Sequence, residues 1–208
     1  MKDSCAILGA SGHGKVVAEL AELNGYEKVV FFDDRWPELT HIEHWPVIGN
    51  TDSLLQGHFG CDVVVAIGKN HIRQEKLNKL RAEGVNLVSL VHPSATVSQY
   101  SNLGLGSVIM ANAVINPFCN IGDGTIINTG STIDHDCTLG DSVHISPGAN
   151  IAGGVKIGSR SWIGIGSKVK QQTSIGSDVI VGAGSTVVND IASNQTIVGT
   201  PATVLIKS

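Results

Sequence analysis

His135 stands between two carboxylates in Asn128-Thr129-Gly130-Ser131-Thr132-Ile133-Asp134-His135-Asp136-Cys137. An imidazole held in one tautomer by a neighbouring carboxylate, and made more basic by it, is suited to take a proton near neutral pH. Asp134 or Asp136 can be that carboxylate, and the same residues also read as a solvated corner. A second chemical signal lies far upstream, in Gly9-Ala10-Ser11-Gly12-His13-Gly14-Lys15. A glycine-rich turn that opens a helix presents backbone N–H groups, and the positive end of the helix dipole, to a phosphate. Ser11, His13 and Lys15 add polar side chains around Gly12. The segment matches most of a P-loop, but Val16 stands where a Ser or Thr would hold magnesium, which disfavours an NTPase. Nor is the glycine order that of a dinucleotide fold. A small phosphorylated ligand is the better reading, with a ligand-free tight turn as the alternative.

These residues need elements to carry them. Residues 1–91 read as β-α-β-α-β-α-β, with strands over Cys5–Gly9, Lys28–Asp33, Cys61–Gly68 and Val85–Val91 and two of the three helices placed at Lys15–Leu23 and Asn70–Glu83. Such alternation predicts a small Rossmann-like parallel α/β domain, whose ligands bind at the carboxyl ends of the strands. The glycine turn ends the first strand there. Asp33 and Asp34 end the second, where they can accept hydrogen bonds from a ribose or a base, or form a solvated turn. Gly68, Asn70 and Arg73 follow the third and are expected on the rim of the same crevice, Arg73 having an exposed helix face as its other placement.

Residues 92–208 have a different texture. Sixteen consecutive positions six apart, from Val97 to Val187, are all Val, Ile or Leu. A period of six fits neither a 3.6-residue helix nor a plain alternating strand, but it fits a short strand plus a corner repeated as a parallel β-helix. Three sides per turn gives roughly five coils. Two residues before each anchor stands Ala, Ser, Cys, Thr or Val, so the interior pairs a branched residue with a small one. One residue after it, ten of the sixteen positions are Gly, Asn or Asp, which predicts a positive φ at that corner position. His135 and His144 are the two histidines within the hexads, and each is a departure from inert scaffold. Ile133 points inward, which places Asp134 to Asp136 on the outside.

The composition narrows the class. With 15% charged and 4% aromatic residues and 25 glycines, the chain reads as a soluble β-rich solenoid and not as a disordered one. A net charge of −4 gives no electrostatic reason to expect nucleic acid or anionic lipid. No apolar run approaches the roughly 20 residues that span a bilayer. The start, Met1-Lys2-Asp3-Ser4-Cys5, does not look like a signal peptide, so a cytoplasmic location is expected. Cys5, Cys61, Cys119 and Cys137 lack metal-site spacing. Cys119 and Cys137, 18 residues apart in the small-residue column, are expected to stack as reduced packing residues on neighbouring rungs.

Taken together, the glycine-rich start, the hexads, INTGSTIDHDC, the later His144 and the closing Val198-Gly199-Thr200-Pro201-Ala202 resemble the hexapeptide-repeat acyltransferases that act on sugars. Within these they are most similar to the group of bacillosamine-type UDP-4-amino-sugar N-acetyltransferases, perosamine N-acetyltransferases and sialic acid O-acetyltransferases. The resemblance covers essentially the whole chain. It implies a left-handed β-helix, a homotrimer, and acetyl-CoA as co-substrate between adjacent helices, with no metal and no covalent enzyme intermediate. It implies His135 as general base and Asp136 as its orienting acid. The bacillosamine enzyme carries glutamates on both sides of that histidine, where this chain has the shorter aspartates. It further implies acetyl-CoA contacts at His144, Gly153, Ile165, Gly182 and Pro201, with the Gly153 N–H as oxyanion donor, and a nucleotide sugar held around Ser11, Gly12, His13, Lys15, Asp33, Asp34, Gly68 and Arg73. The expected reaction is acetyl transfer to the amino group of a nucleotide-linked 4-amino sugar for glycan biosynthesis. O-acetylation of a sialic acid is the alternative within the enzymes, and a non-catalytic ligand-binding trimeric solenoid is the alternative outside them.

Overall fold

The computed structural model of the protein describes residues 2–57 and 60–205. The first strand, β1 (Lys2–Leu8), is flanked in parallel by β2 (Tyr26–Phe32) and β5 (Asp62–Val65). Cys5, Ala6, Ile7 and Leu8 are buried on both sides, as a central parallel strand requires. Helix α1 (Gly12–Leu23) packs Val17, Ala18, Leu20 and Ala21 on one face of the sheet. The other face is covered by Leu54 of α2 (Thr51–Gln56) and by Leu77 and Leu80 of α3 (Asn70–Ala82). The turn from β1 into α1 is tight enough to demand glycine: Gly9 has φ 114°, and a Cβ on Gly14 would lie 2.3 Å from the Gly9 carbonyl oxygen.

An antiparallel hairpin, β3 (His41–Ile42) and β4 (Trp45–Gly49), extends the sheet to the order β3-β4-β2-β1-β5. The hairpin is absent from the expected order, and α2, its middle helix, has no periodic pattern to place it, because two to six residues are too few to set a period. The strand expected across 85–91 is not formed as one piece. Leu87 makes an isolated bridge to Val63, and Leu90–Val91 (β6) pairs instead with Val108–Ile109, the next coil of the solenoid.

From β6 onward the chain is a left-handed parallel β-helix of two-residue strands. Residue i pairs with i+18, as in His144↔Trp162 and Ile145↔Ile163, so three strands close each coil. Every anchor from Ile109 to Val187 is at most 4% exposed, and the small residues two before them are sealed as well. Each coil thus buries three branched side chains, worth about 1.5–3 kcal/mol apiece. Cys119 and Cys137 are reduced and buried in this column, their thiols donating to the carbonyls of Asp134 and Ala152.

The corners differ from expectation in one respect. Positive φ falls three residues after the anchor, at Asn112, Gly124, Asp136, Gly148 and Asp178 among others, and not one residue after it. Glycine is common directly after the anchor because coils approach closely there: a Cβ on Gly122 would lie 2.5 Å from the carbonyl carbon of Gly140. Lack of space, not backbone handedness, selects it.

The two regions share a core. Leu90, Val108, Met110 and Ile126 on the outside of the β-helix pack with residues of β1, α1 and β2. Helix α3 lies along a corner of the prism, where Asn70 donates to the carbonyls of Arg160 and Ser161, and Arg160 donates to Gln74.

Candidate active site

The prism has three faces. The first carries Val108–Ile109, Ile126–Ile127, His144–Ile145, Trp162–Ile163 and Ile180–Val181; the second includes Thr132–Ile133 and Asn150–Ile151; the third includes Thr138–Leu139. His135 and Asp136 form the corner between the second and third faces. Asp136 sits at φ 60°, a conformation that aspartate tolerates better than most residues. Its Oδ2 lies 2.7 Å from His135 Nδ1. Asp134 instead accepts the His135 backbone N–H at 2.8 Å and the Asn116 amide at 2.9 Å. The Asp136 hydrogen bond, aided by the Asp134 charge, raises the His135 pKa above its ordinary value. With Nδ1 engaged, Nε2 is left for chemistry. It lies directly over Gly153, where an added Cβ would be 2.7 Å from both Nε2 and Cε1.

The glycine turn, Asp33 and Asp34 meet where the sequence places them, at the carboxyl ends of the strands. Gly9, Ser11, Asp33, Asp34 and Gly68 line a cavity of about 520 Å³ together with Lys69, Lys76 and Trp162. Asp33 accepts the Ala10 N–H at 2.7 Å and a bond from the Arg35 side chain. Burial raises the Asp34 pKa, but hydrogen bonds from Lys76 and Thr51 outweigh it and hold the group at about 2. Gly12 opens α1 and is exposed, with open space around it. Lys15 does not line the cavity; it pairs with Glu43 on the hairpin.

Three residues expected on that rim, Asn70, Arg73 and His13, point elsewhere: Asn70 is buried and donates to the Arg160 and Ser161 carbonyls of the solenoid. Arg73 is neither on the rim nor on an exposed helix face. It is fully buried, and its guanidinium donates to the carbonyls of Ile67, Gly68, Gly124 and Ser142 and to the Asn70 side chain. With its donors spent on protein acceptors, it clamps α3 to the β-helix. His13 lies one helical turn before Val17, on the inward side of α1, and its Nε2 is sealed from solvent. Burial, aided by the Arg73 charge, lowers its pKa to about 4.

His144 occupies the same seam from the solenoid side. Outward residues of the first face emerge step by step from beneath the N-terminal domain: Val108 1%, Ile126 0%, His144 8%, Trp162 39% and Ile180 49% exposed. Burial first, then the charges of Arg73 and His13, take the His144 pKa to about 3. Above it opens an apolar groove of about 500 Å³, lined by His144, Trp162, Ile165, Ile180 and Gly182 among others. Gly153 and Pro201 are not among the lining residues: Gly153 lies under His135, and Pro201 is in the exposed turn before Ala202, which bonds to Thr186. Lys69, Lys76 and Trp162 are absent from the sequence-based site. An outward-facing tryptophan in a solenoid with few aromatics was the one available signal.

The full width of the second face separates the His135 corner from the His144 groove. Among the described residues there is no cluster of three or more His, Cys, Asp or Glu able to hold a metal ion, and no helix long and apolar enough to cross a membrane.

A parallel α/β unit docked on a hexapeptide β-helix that displays a histidine paired with an aspartate defines a hexapeptide-repeat transferase. Residues 4–80 match the PglD N-terminal domain, and residues 118–153 and 154–189 each match the bacterial transferase hexapeptide model of six repeats. The acetyltransferase domain of PglB from Neisseria gonorrhoeae FA1090, in complex with acetyl coenzyme A, is 45% identical with TM-score 0.94, covering 99% of this chain and 100% of that one. A variant of perosamine N-acetyltransferase from Caulobacter crescentus, in complex with CoA and GDP-perosamine, is 38% identical with TM-score 0.94, covering 98% and 97%. UDP-N-acetylbacillosamine N-acetyltransferase of Bacillus subtilis (strain 168) is 35% identical over 106 residues, 49% of this chain and 49% of that enzyme, so the matched stretch spans about half its length. The chain belongs to the hexapeptide-repeat sugar acetyltransferases with a PglD-type N-terminal domain.

Proposed function

We propose that the protein transfers the acetyl group of acetyl-CoA to the amino group of a nucleotide-linked 4-amino sugar, with His135 as general base and Asp136 as its orienting acid. The observation that carries this reading is the His135–Asp136 pair, exposed at a corner with its Nε2 unencumbered over Gly153. Relatives that contain acetyl-CoA, or CoA with GDP-perosamine, support the choice of substrates.

In the reaction the amine lone pair attacks the thioester carbonyl. The C–N bond forms, His135 Nε2 takes the amine proton, and collapse of the tetrahedral intermediate breaks the C–S bond, the thiolate leaving with a proton from the imidazolium. The Gly153 N–H is the donor assigned to the developing oxyanion. The cavity around Gly9, Asp33 and Gly68 takes the nucleotide, and the groove at His144, Ile165 and Gly182 takes the acetylated pantetheine. Because this groove and His135 lie on different parts of one prism, a complete site needs His135 from a second copy, which favours a homotrimer built side by side. Nucleotide binding energy then positions the amine remotely from the chemistry.

A thiol-release assay tests this, using acetyl-CoA with UDP-, dTDP- and GDP-linked 4-amino sugars beside free sialic acid. Turnover of at least one nucleotide sugar is expected, and turnover of sialic acid alone overturns the reading. His135→Ala is expected to lose most turnover while still binding acetyl-CoA.

A further inference from the structure

The nucleotide cavity and the apolar groove lie on the same protomer and share one lining residue, Trp162. Their characters differ. The cavity presents Asp33, Asp34, Lys69 and Lys76 among the apolar side chains of Leu8, Ile67 and Ile72, whereas the groove beyond the indole is walled by Ile165 and Ile180 and holds no acid, Lys or Arg. A ligand with a diphosphate at one end and an acyl-accepting amine at the other therefore has to cross this boundary with the part in between, its sugar ring.

The indole is fixed in place for such a crossing. One face stacks on His144, ring centroids 5.1 Å apart and planes 18° from parallel. Its Nε1–H donates to Ser146 Oγ at 2.7 Å, which fixes the rotation of the ring. With the ring already immobilised, little further side-chain entropy is lost when a ligand settles on it. An aromatic face with a negative quadrupole suits the C–H face of a pyranose, and a 6-deoxy sugar adds an apolar methyl.

We propose that Trp162 is the platform on which the acceptor sugar lies, positioning its amine at the thioester. This deepens the proposed function and rests on it. Trp162 acts by holding the substrate and moves no proton, so it is a positioning residue. Ser146 and His144 set the height and tilt of the platform. Specificity follows: a sugar ring with an apolar face is accepted by the indole, while the nucleotide is recognised independently in the charged cavity.

The test compares Trp162→Leu, which keeps apolar bulk but no planar face, with Trp162→Phe, which keeps a planar face. Calorimetry would measure the Kd of free UDP, dTDP and GDP, and of the 4-amino-sugar conjugate that the wild type acetylates. In Trp162→Leu, the affinity of the conjugate is expected to fall about fivefold or more beyond any fall for the free nucleotide, whose cavity Trp162 borders, with a lower kcat. Trp162→Phe is expected to recover most of both. Equal losses for free and conjugated nucleotide, or no loss for either, overturn the platform while leaving the proposed function standing. A wild type that acetylates none of the conjugates overturns the proposed function and the platform with it.

Discussion

Asp136 Oδ2 lies 2.7 Å from Nδ1 of His135, while Asp134 is bonded to the backbone N–H of the same histidine. The two flanking acids thus have different tasks despite their symmetric places in the sequence. One sets the tautomer and basicity of the ring, and the other fixes the corner from which the ring projects. Asp136→Asn is expected to move the acidic limb of the kcat/KM profile to lower pH, because the raised pKa of His135 owes most to that hydrogen bond. Turnover at the optimum falls by about 10- to 100-fold. Asp134→Asn keeps an acceptor for the backbone and costs less than about fivefold. The reverse order of these effects in pH–rate profiles assigns orientation to Asp134.

Gly153 carries no side chain because His135 occupies the space one would fill. The added methyl of Gly153→Ala would lie 2.7 Å from Nε2, so the imidazole must swing away. Turnover is expected to fall about 100-fold, since a displacement of about 1 Å is enough for that. The exposed ring can move without disturbing the core, so the melting temperature stays nearly constant. A large drop in Tm would instead mark Gly153 as a packing residue.

The β-helix was legible because a solenoid repeats its core along the sequence, and sixteen aliphatic anchors leave no other period. His135 was legible for a related reason, as a charged triplet on an otherwise plain corner. The docking of the first domain was not, since it depends on which rotation of each helix meets the prism. His13 lies within the glycine-rich segment that opens α1, yet its rotation on the helix turns it into the seam. Arg73 follows a strand whose end lines the cavity, yet α3 directs it to the carbonyls of Gly124 and Ser142. Trp162 gains its place only from where that docking stops covering the first face.

Arg73 donates to backbone carbonyls on both sides of the domain junction, and replacing it with Met leaves those buried acceptors unpaired. At about 1–3 kcal/mol for each unsatisfied group, a loss on the order of 3 kcal/mol or more is expected in urea unfolding. Hydrogen exchange should show the loss concentrated in α3 and at Gly124 and Ser142, before the upper coils respond. Uniform exchange across the whole chain would argue against a clamp.

His13 and His144 are held neutral in the seam, with pKa values lowered to about 4 and about 3, burial being the main cause and Arg73 adding to it. The unfolded chain takes up protons at these residues near pH 6.5, while the folded chain resists until much lower pH. Below pH 6.5 the unfolded state therefore binds more protons, and stability falls as pH drops, by up to about 1.4 kcal/mol per pH unit for each histidine. This loss continues to about pH 4 for His13 and about pH 3 for His144, where each charges in the folded state as well. Melting temperatures measured from pH 7.5 to 4.5 should decline steadily, and the decline should be shallower in His13→Gln, which has one titrating group fewer. A profile unchanged by that substitution would mean that His13 does not contribute to the acid response of the junction.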